Sequence, residues 1–270
     1  MSTTKFEPHP QRRPAIIAGA SSGIGAATAE LLGAQGFPVA LGARRVDKIE
    51  ALAAKINEAG GEAVALELDV TKPDSVVQFV KSAEAALGPI EVAVSGAGDL
   101  AAGKTHEMDP ETFAAQVDVH LIGAERLYRA IVPGMVSRTR GDFVFIGSDV
   151  VKVPRMRLGP YVAAKAGVEA MVQALQAELE GTGVRVSTVR PGQVLTGMGM
   201  NFDPETVGPL LDDWRKWGHI RHSNFLAPED LAAAVSAVVN TPRGSHLSMV
   251  EVQPEAPIVT PDVSSTEEKK

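Results

Sequence analysis

The chain has 270 residues, 44% of them hydrophobic, which is enough to bury a core and too many for a disordered chain. A formal net charge of −7 gives no support to binding of nucleic acid or of an anionic membrane surface. There is no cysteine, which excludes disulfides and thiolate catalysis and removes the usual ligands of structural zinc.

Residues 1–13 are polar and proline-bearing, contain no apolar run of signal-peptide length, and read as a tail. From Pro14 onward, short apolar runs alternate with amphipathic stretches. Residues 15–18, 39–41, 63–66, 92–94, 143–146, 184–189 and 249–252 predict strands. Residues 24–35, 46–59, 73–87, 110–137, 161–180 and 228–240 predict helices. Gly36 and Gly60 follow helices, whereas Pro73 and Pro228 start them. Strands apolar on both faces and separated by helices predict a parallel, doubly wound α/β sheet of Rossmann type, covered on both sides. No repeat or linker interrupts 14–254, so one domain is expected, with 255–270 as a solvated tail. No apolar stretch is long enough to span a bilayer. A cytoplasmic location is expected.

The stretch 193–227 breaks the rhythm. It carries Met198, Met200, Phe202, Trp214, Trp217 and Phe225 among glycines, prolines and charges. A long segment before the last helix predicts a lid or substrate loop. Short helices packing their own aromatics, or a subunit contact, are the alternatives. Its content points to a largely apolar substrate.

The first predicted strand runs into Gly19-Ala20-Ser21-Ser22-Gly23-Ile24-Gly25, within which a helix begins. Glycines there let a pyrophosphate approach the backbone, and the helix N-terminus supplies N–H donors. The second strand ends before Arg44 and Arg45, with no acid to hold a free ribose 2′-hydroxyl. Arginine there pairs with a 2′-phosphate, so NADP(H) is the expected cofactor. Asp69 and Val70 stand where adenine would be capped. Ser95, Gly96, Ala97 and Gly98 allow close passage of the chain beside the dinucleotide.

Tyr161 and Lys165 are four apart and share a helix face, and Ser148 lies thirteen residues earlier, beyond a strand. An ammonium beside a phenol favours the phenolate, so Lys165 is expected to lower the pKa of Tyr161 from about 10. Ser148 can hold a substrate oxygen while the phenol exchanges its proton. This is equipment for reducing a carbonyl or oxidising an alcohol. His219 and His222 are three apart without an evident third ligand, so no metal site is expected.

The glycine turn, Asp69, Ser148, the Tyr161–Lys165 pair and Pro191-Gly192, in this order and spacing, resemble the short-chain dehydrogenase/reductase family over roughly 14–254. The resemblance implies that Tyr161 is the acid/base and that Lys165 tunes it and binds the nicotinamide ribose. It implies that Ser148 positions the substrate oxygen. It also implies that Pro191, Gly192, Val194 and Thr196 hold the nicotinamide end, and that homo-oligomers form through 110–137 and 161–180. Three departures stand out. Ala18 replaces the threonine that usually opens the turn, and Ser95-Gly96-Ala97-Gly98 replaces Asn-Asn-Ala-Gly. His120 occupies the place of an asparagine that anchors a proton-relay water in the family. His120 can serve that relay through its backbone carbonyl, join it through its ring, or only pack; the backbone role is expected. A dinucleotide-binding scaffold with little turnover, or a redox-neutral epimerase or dehydratase, is the competing reading.

Overall fold

Successive side chains of a strand face opposite sides of the sheet, and β-runs such as 15–18, 39–43 and 92–94 are apolar on both, so the sheet must be covered twice. The computed structural model describes residues 6–198, 202, 204–220 and 222–258. In it β1 (Ala15–Ala18), β2 (Val39–Ala43), β3 (Ala63–Glu67), β4 (Val92–Ser95), β5 (Gly141–Ile146), β6 (Val184–Pro191) and β7 (Met249–Val252) form one sheet. The order is β3-β2-β1-β4-β5-β6-β7, and all pairs are parallel. Ala15 and Ile17 point to one core, Ile16 and Ala18 to the other.

Helices α1 (Gly23–Ala34), α2 (Val46–Glu58) and α8 (Pro228–Asn240) cover the first face through Leu32, Ile49 and Leu231. Helices α3 (Pro73–Leu87), α5 (Gly123–Ser137) and α6 (Gly159–Glu178) cover the second through Phe79, Leu127 and Val172. On α2 the buried residues Ile49, Leu52, Ala53 and Ile56 keep helical spacing, the physical basis of the prediction.

Three expectations change. The single helix expected over 110–137 is α4 (Pro110–Val117), a π-helical turn (Asp118–Ile122) and α5. Apolar periodicity cannot reveal this, because the extra residue of a π turn leaves helical spacing on either side intact. The stretch 193–227 contains a helix, α7 (Pro204–Lys216), and Val194 bridges Leu226 at its base; Met200 lies outside the described residues. Finally, Arg13, at the end of the expected tail, is buried and donates to Asp142 at 2.6 Å and to the Val239 carbonyl at 2.8 Å. Residues 1–5 and 259–270 of the expected tails lie outside the described residues. Among the described residues no helix is long and apolar enough to cross a membrane.

Candidate active site

The strand order reverses at β1, which has β2 on one side and β4 on the other. In open α/β sheets a ligand binds outside the carboxyl ends of the strands at such a reversal. Gly19 has φ +87°, and a Cβ on it would stand 2.7 Å from the Gly96 carbonyl carbon. A Cβ on Gly25 would collide with the Gly19 carbonyl oxygen. Gly23 has φ +56°, and Thr196 Cγ2 stands 3.2 Å from where its Cβ would be. The structure therefore brings Gly19, Gly23, Gly25, Gly96 and Thr196 together. Ser22 precedes α1 without capping it, so first-turn N–H groups stay open. Ile24 packs on the core behind them.

The two arginines separate. Arg45 donates to Ser21 Oγ at 2.8 Å and Ser22 Oγ at 2.7 Å, placing its guanidinium over the glycine turn. Arg44 lines a cleft with Asp69, Lys72, Ser75 and Gln78. A cation, two hydroxyls, open helix donors and a cradle free of Cβ atoms fit the phosphates of a dinucleotide. Asp69 Oδ1 accepts from the Thr71 amide at 3.0 Å and hydroxyl at 2.7 Å. Burial alone would raise the Asp69 carboxyl, but these bonds and Lys72 hold it below the usual range. Val70 is buried against Gly123, where a Cβ would stand 2.7 Å from Val70 Cγ2, so it seats α5. Ser95 ends β4, and Ala97 packs on the second core. Gly192 lies tight against Gln253 and Pro254, just after Pro191 ends β6.

Ser148, beyond the end of β5, is buried and hydrogen-bonds the hydroxyl of Tyr161 on α6. Lys165, one turn further, donates from Nζ to the Ile146 carbonyl at 2.7 Å. Its Nζ stands 5.8 Å from the Tyr161 ring centre. The expected lowering of Tyr161 does not result from this arrangement. Burial raises the phenol above its ordinary value, only partly opposed by the Ser148 hydrogen bond. Burial also pulls Lys165 down to about 8, with Glu169 opposing. The reason is desolvation: both charged forms lose water at once.

His120 lies in the π turn, 2% exposed, its ring edge-on to Tyr161 with centres 5.0 Å apart. Burial first, and the Lys165 charge second, pull its imidazole down to about 3. A titration near pH 6.5 is therefore not expected of this residue.

Sequence reasoning missed a set of charges around the phenol. Asp149, next to Ser148, accepts two 2.7 Å bonds from Arg155. The Arg155 guanidinium lies 5.8 Å from the Trp214 ring centre, and Trp214 Nε1 donates to the Met156 carbonyl at 2.9 Å. Arg157 donates to Asp213 at 2.6 Å. Helix α7 is thus moored to the run between Ser148 and Tyr161. Glu169 continues the Tyr161–Lys165 row by four residues and is held by Arg190 at 2.8 and 2.5 Å. The i+8 spacing made Glu169 findable; the partners of Arg155 and Arg190 come from distant segments and were not.

Comparison with known proteins places this geometry. A sequence profile described as short chain dehydrogenase matches residues 13–206. A glycine betaine reductase of Emericella nidulans is 37% identical over 239 residues, covering 88% of this chain and 18% of that protein. The chain therefore spans less than a fifth of that relative. An alcohol dehydrogenase from the archaeon Thermococcus sibiricus, solved with 5-hydroxy-NADP, has 30% identity and a TM-score of 0.77, covering 90% of this chain and 96% of that one. A metagenomic short-chain oxidoreductase solved with NADP has 32% identity and a TM-score of 0.75, covering 90% and 97%. The chain belongs to the short-chain dehydrogenase/reductase family of oxidoreductases.

Proposed function

We propose that the protein is an NADP(H)-dependent reductase of a carbonyl substrate, or dehydrogenase of the corresponding alcohol, working as one domain over 14–254. The observation that carries this reading is the buried Tyr161 hydroxyl, hydrogen-bonded to Ser148 past the carboxyl end of β5, with Lys165 one helical turn away. Similarity to structures solved with NADP and 5-hydroxy-NADP, and the Arg45 guanidinium over Ser21 and Ser22, support the cofactor. Bound NADP(H) would supply or accept the hydride. Ser148 holds the substrate oxygen, and Tyr161 exchanges a proton with it. Because burial raises the phenol above its ordinary value, Tyr161 is set to donate a proton, which suits reduction. Lys165 balances the charge that develops on the tyrosine oxygen. Gly19, Ser21, Ser22, Gly23 and Gly25 hold the pyrophosphate, Arg45 pairs with the 2′-phosphate, and Thr196 sits at the nicotinamide side.

The substrate side is a mixture. Leu195, Met198, Trp217 and Phe225 are exposed in the stretch expected to form a lid, which supports an apolar substrate body. Asp149 and Arg155 place a polar pair near the reacting end. Self-association through α5 and α6 belongs to this reading, supported by a groove of Tyr128, Val132, Pro133, Val136 and Leu179. The test is NADPH oxidation against a panel of aldehydes, ketones and quinones. Tyr161→Phe should lower turnover by at least about a hundredfold, with NADPH affinity little changed. NADPH binding without turnover on any carbonyl would defeat the reductase reading in favour of a scaffold.

A further inference from the structure

The run 149–160 joins the two reacting hydroxyls, since Ser148 precedes it and Tyr161 follows it. It turns sharply, first in the 3₁₀ turn Asp149–Val151 and then through Arg157 at φ +66°. A left-handed backbone is costly for a residue with a Cβ, so contacts from outside the run must hold it. They come from two sides. The Gly103 amide donates to the Arg157 carbonyl at 2.9 Å, and the Arg157 guanidinium donates to Asp213 of α7 at 2.6 Å.

Arg155 stands between α7 and the Ser148 turn. Its Nη1 and Nη2 each donate at 2.7 Å to one oxygen of Asp149, and the two side chains are 9% and 11% exposed. This fork spends the bidentate edge of the guanidinium on Asp149, so that edge is not open to a substrate anion. A flat face remains, and the Trp214 ring of α7 lies 5.8 Å from it. The indole is fixed in turn, because its Nε1 donates to the Met156 carbonyl at 2.9 Å. A fork on one side and a ring on the other define the guanidinium plane. Desolvation offsets the attraction within a buried ion pair, so the use of this pair is geometric rather than stabilising. On the far side, the Asp149 carbonyl accepts from the Lys152 and Val153 amides at 2.9 and 3.0 Å. Ser148 Oγ accepts from the Val150 amide of the same turn at 3.4 Å.

We propose that Arg155 is a positioning residue that transmits the seating of α7 to Ser148. Trp214 sets the guanidinium plane, the guanidinium sets Asp149, and Asp149 sets the turn that aims the Ser148 hydroxyl at Tyr161. A change in the 193–227 stretch is then felt at the reacting hydroxyls without touching them. The catalytic consequence rests on the reductase reading above; the positioning does not.

The chain has two tyrosines, so carbon NMR of protein labelled at tyrosine Cζ gives one signal for each, assigned with Tyr128→Phe. The Tyr161 signal reports its hydrogen bond to Ser148, and Ser148→Ala marks the position without that bond. Trp214→Ala leaves the Asp149–Arg155 pair in the chain and removes no partner of either hydroxyl. It should nevertheless move the Tyr161 signal toward the Ser148→Ala position. Arg155→Lys keeps a cation and the indole but loses the fork, and should move the signal in the same sense. A Tyr161 signal that stays in place in either folded variant overturns the proposal. With a carbonyl that is turned over, Trp214→Ala should lower kcat on the order of tenfold at unchanged NADPH affinity, the scale of a small misplacement of a reacting group. In a Ser148→Ala background the same substitution should cost nothing further, because its effect passes through that hydroxyl. Equal losses in the two backgrounds also overturn the proposal. The NMR measurement uses neither substrate nor NADPH. A shifted Tyr161 signal without turnover on any carbonyl therefore defeats the reductase reading and leaves the positioning role standing.

Discussion

Arg44 and Arg45 are neighbours in the chain just beyond β2, yet Arg45 lies over the glycine turn and Arg44 lines a cleft with Asp69. Only Arg45 reaches Ser21 and Ser22. Arg45→Ala should therefore weaken NADPH by roughly tenfold or more, the scale of a lost charge-assisted hydrogen bond, while leaving NADH nearly unchanged. Arg44→Ala should change the NADPH to NADH ratio far less. Titrating both cofactors against both variants checks this, and equal losses would return Arg44 to the site. His120 makes a prediction about stability. Its pKa is near 3 in the folded chain and about 6.5 unfolded, so between those values the unfolded chain binds the extra proton. Stability must then fall as pH drops from about 6.5 toward 3. Between pH 7 and pH 5 the native protein should lose about 2 kcal/mol more than His120→Asn in urea unfolding. Equal losses would mean that the imidazole is solvated.

At the scale of elements, the π turn between α4 and α5 and the loop after β4 fit one another. Gly98 has no side chain, and the His120 ring fills its place. A glycine that fits the family pattern and the departure at His120 thus meet in space. Gly98→Ala should force the ring aside and cost about 1–3 kcal/mol, with loss of turnover. His120→Ala should suffer little further harm from the same change, so a double-mutant cycle should give a coupling of about 1 kcal/mol or more. Strict additivity in denaturant titrations would show that the ring does not occupy that space.

At the scale of the whole molecule, the two ends of the sheet do different work. The carboxyl ends of the strands carry the glycine turn, Ser148 and the β4 loop. The amino ends carry a buried carboxylate, Asp142, 1% exposed, clasped by Arg13 and Arg185 at 2.6 Å each. This joins the N-terminal segment to β5 and β6. Asp142→Asn should leave two buried cations without their anion and destabilise the fold by about 3–5 kcal/mol. The folded fraction should keep its kcat, because the site lies at the opposite end. A lower kcat at unchanged stability would contradict that division.

Alternation of apolar strands and amphipathic helices determined the doubly wound sheet, since any strand apolar on both faces must be buried between layers. Local spacing likewise determined the glycine turn and the Tyr161–Lys165 row, because both depend on contacts within one turn of backbone. What the sequence could not determine rests on partners far apart in the chain. The divergence of Arg44 from Arg45, the π turn at His120 and the mooring of Trp214 to the Met156 carbonyl are of this kind. The ionisation of the site belongs there too. Proximity in sequence argued that Lys165 lowers Tyr161, but burial by the assembled layers outweighs that pairing and raises the phenol instead. Desolvation is set by everything packed around a group, and that is decided only when the chain has folded.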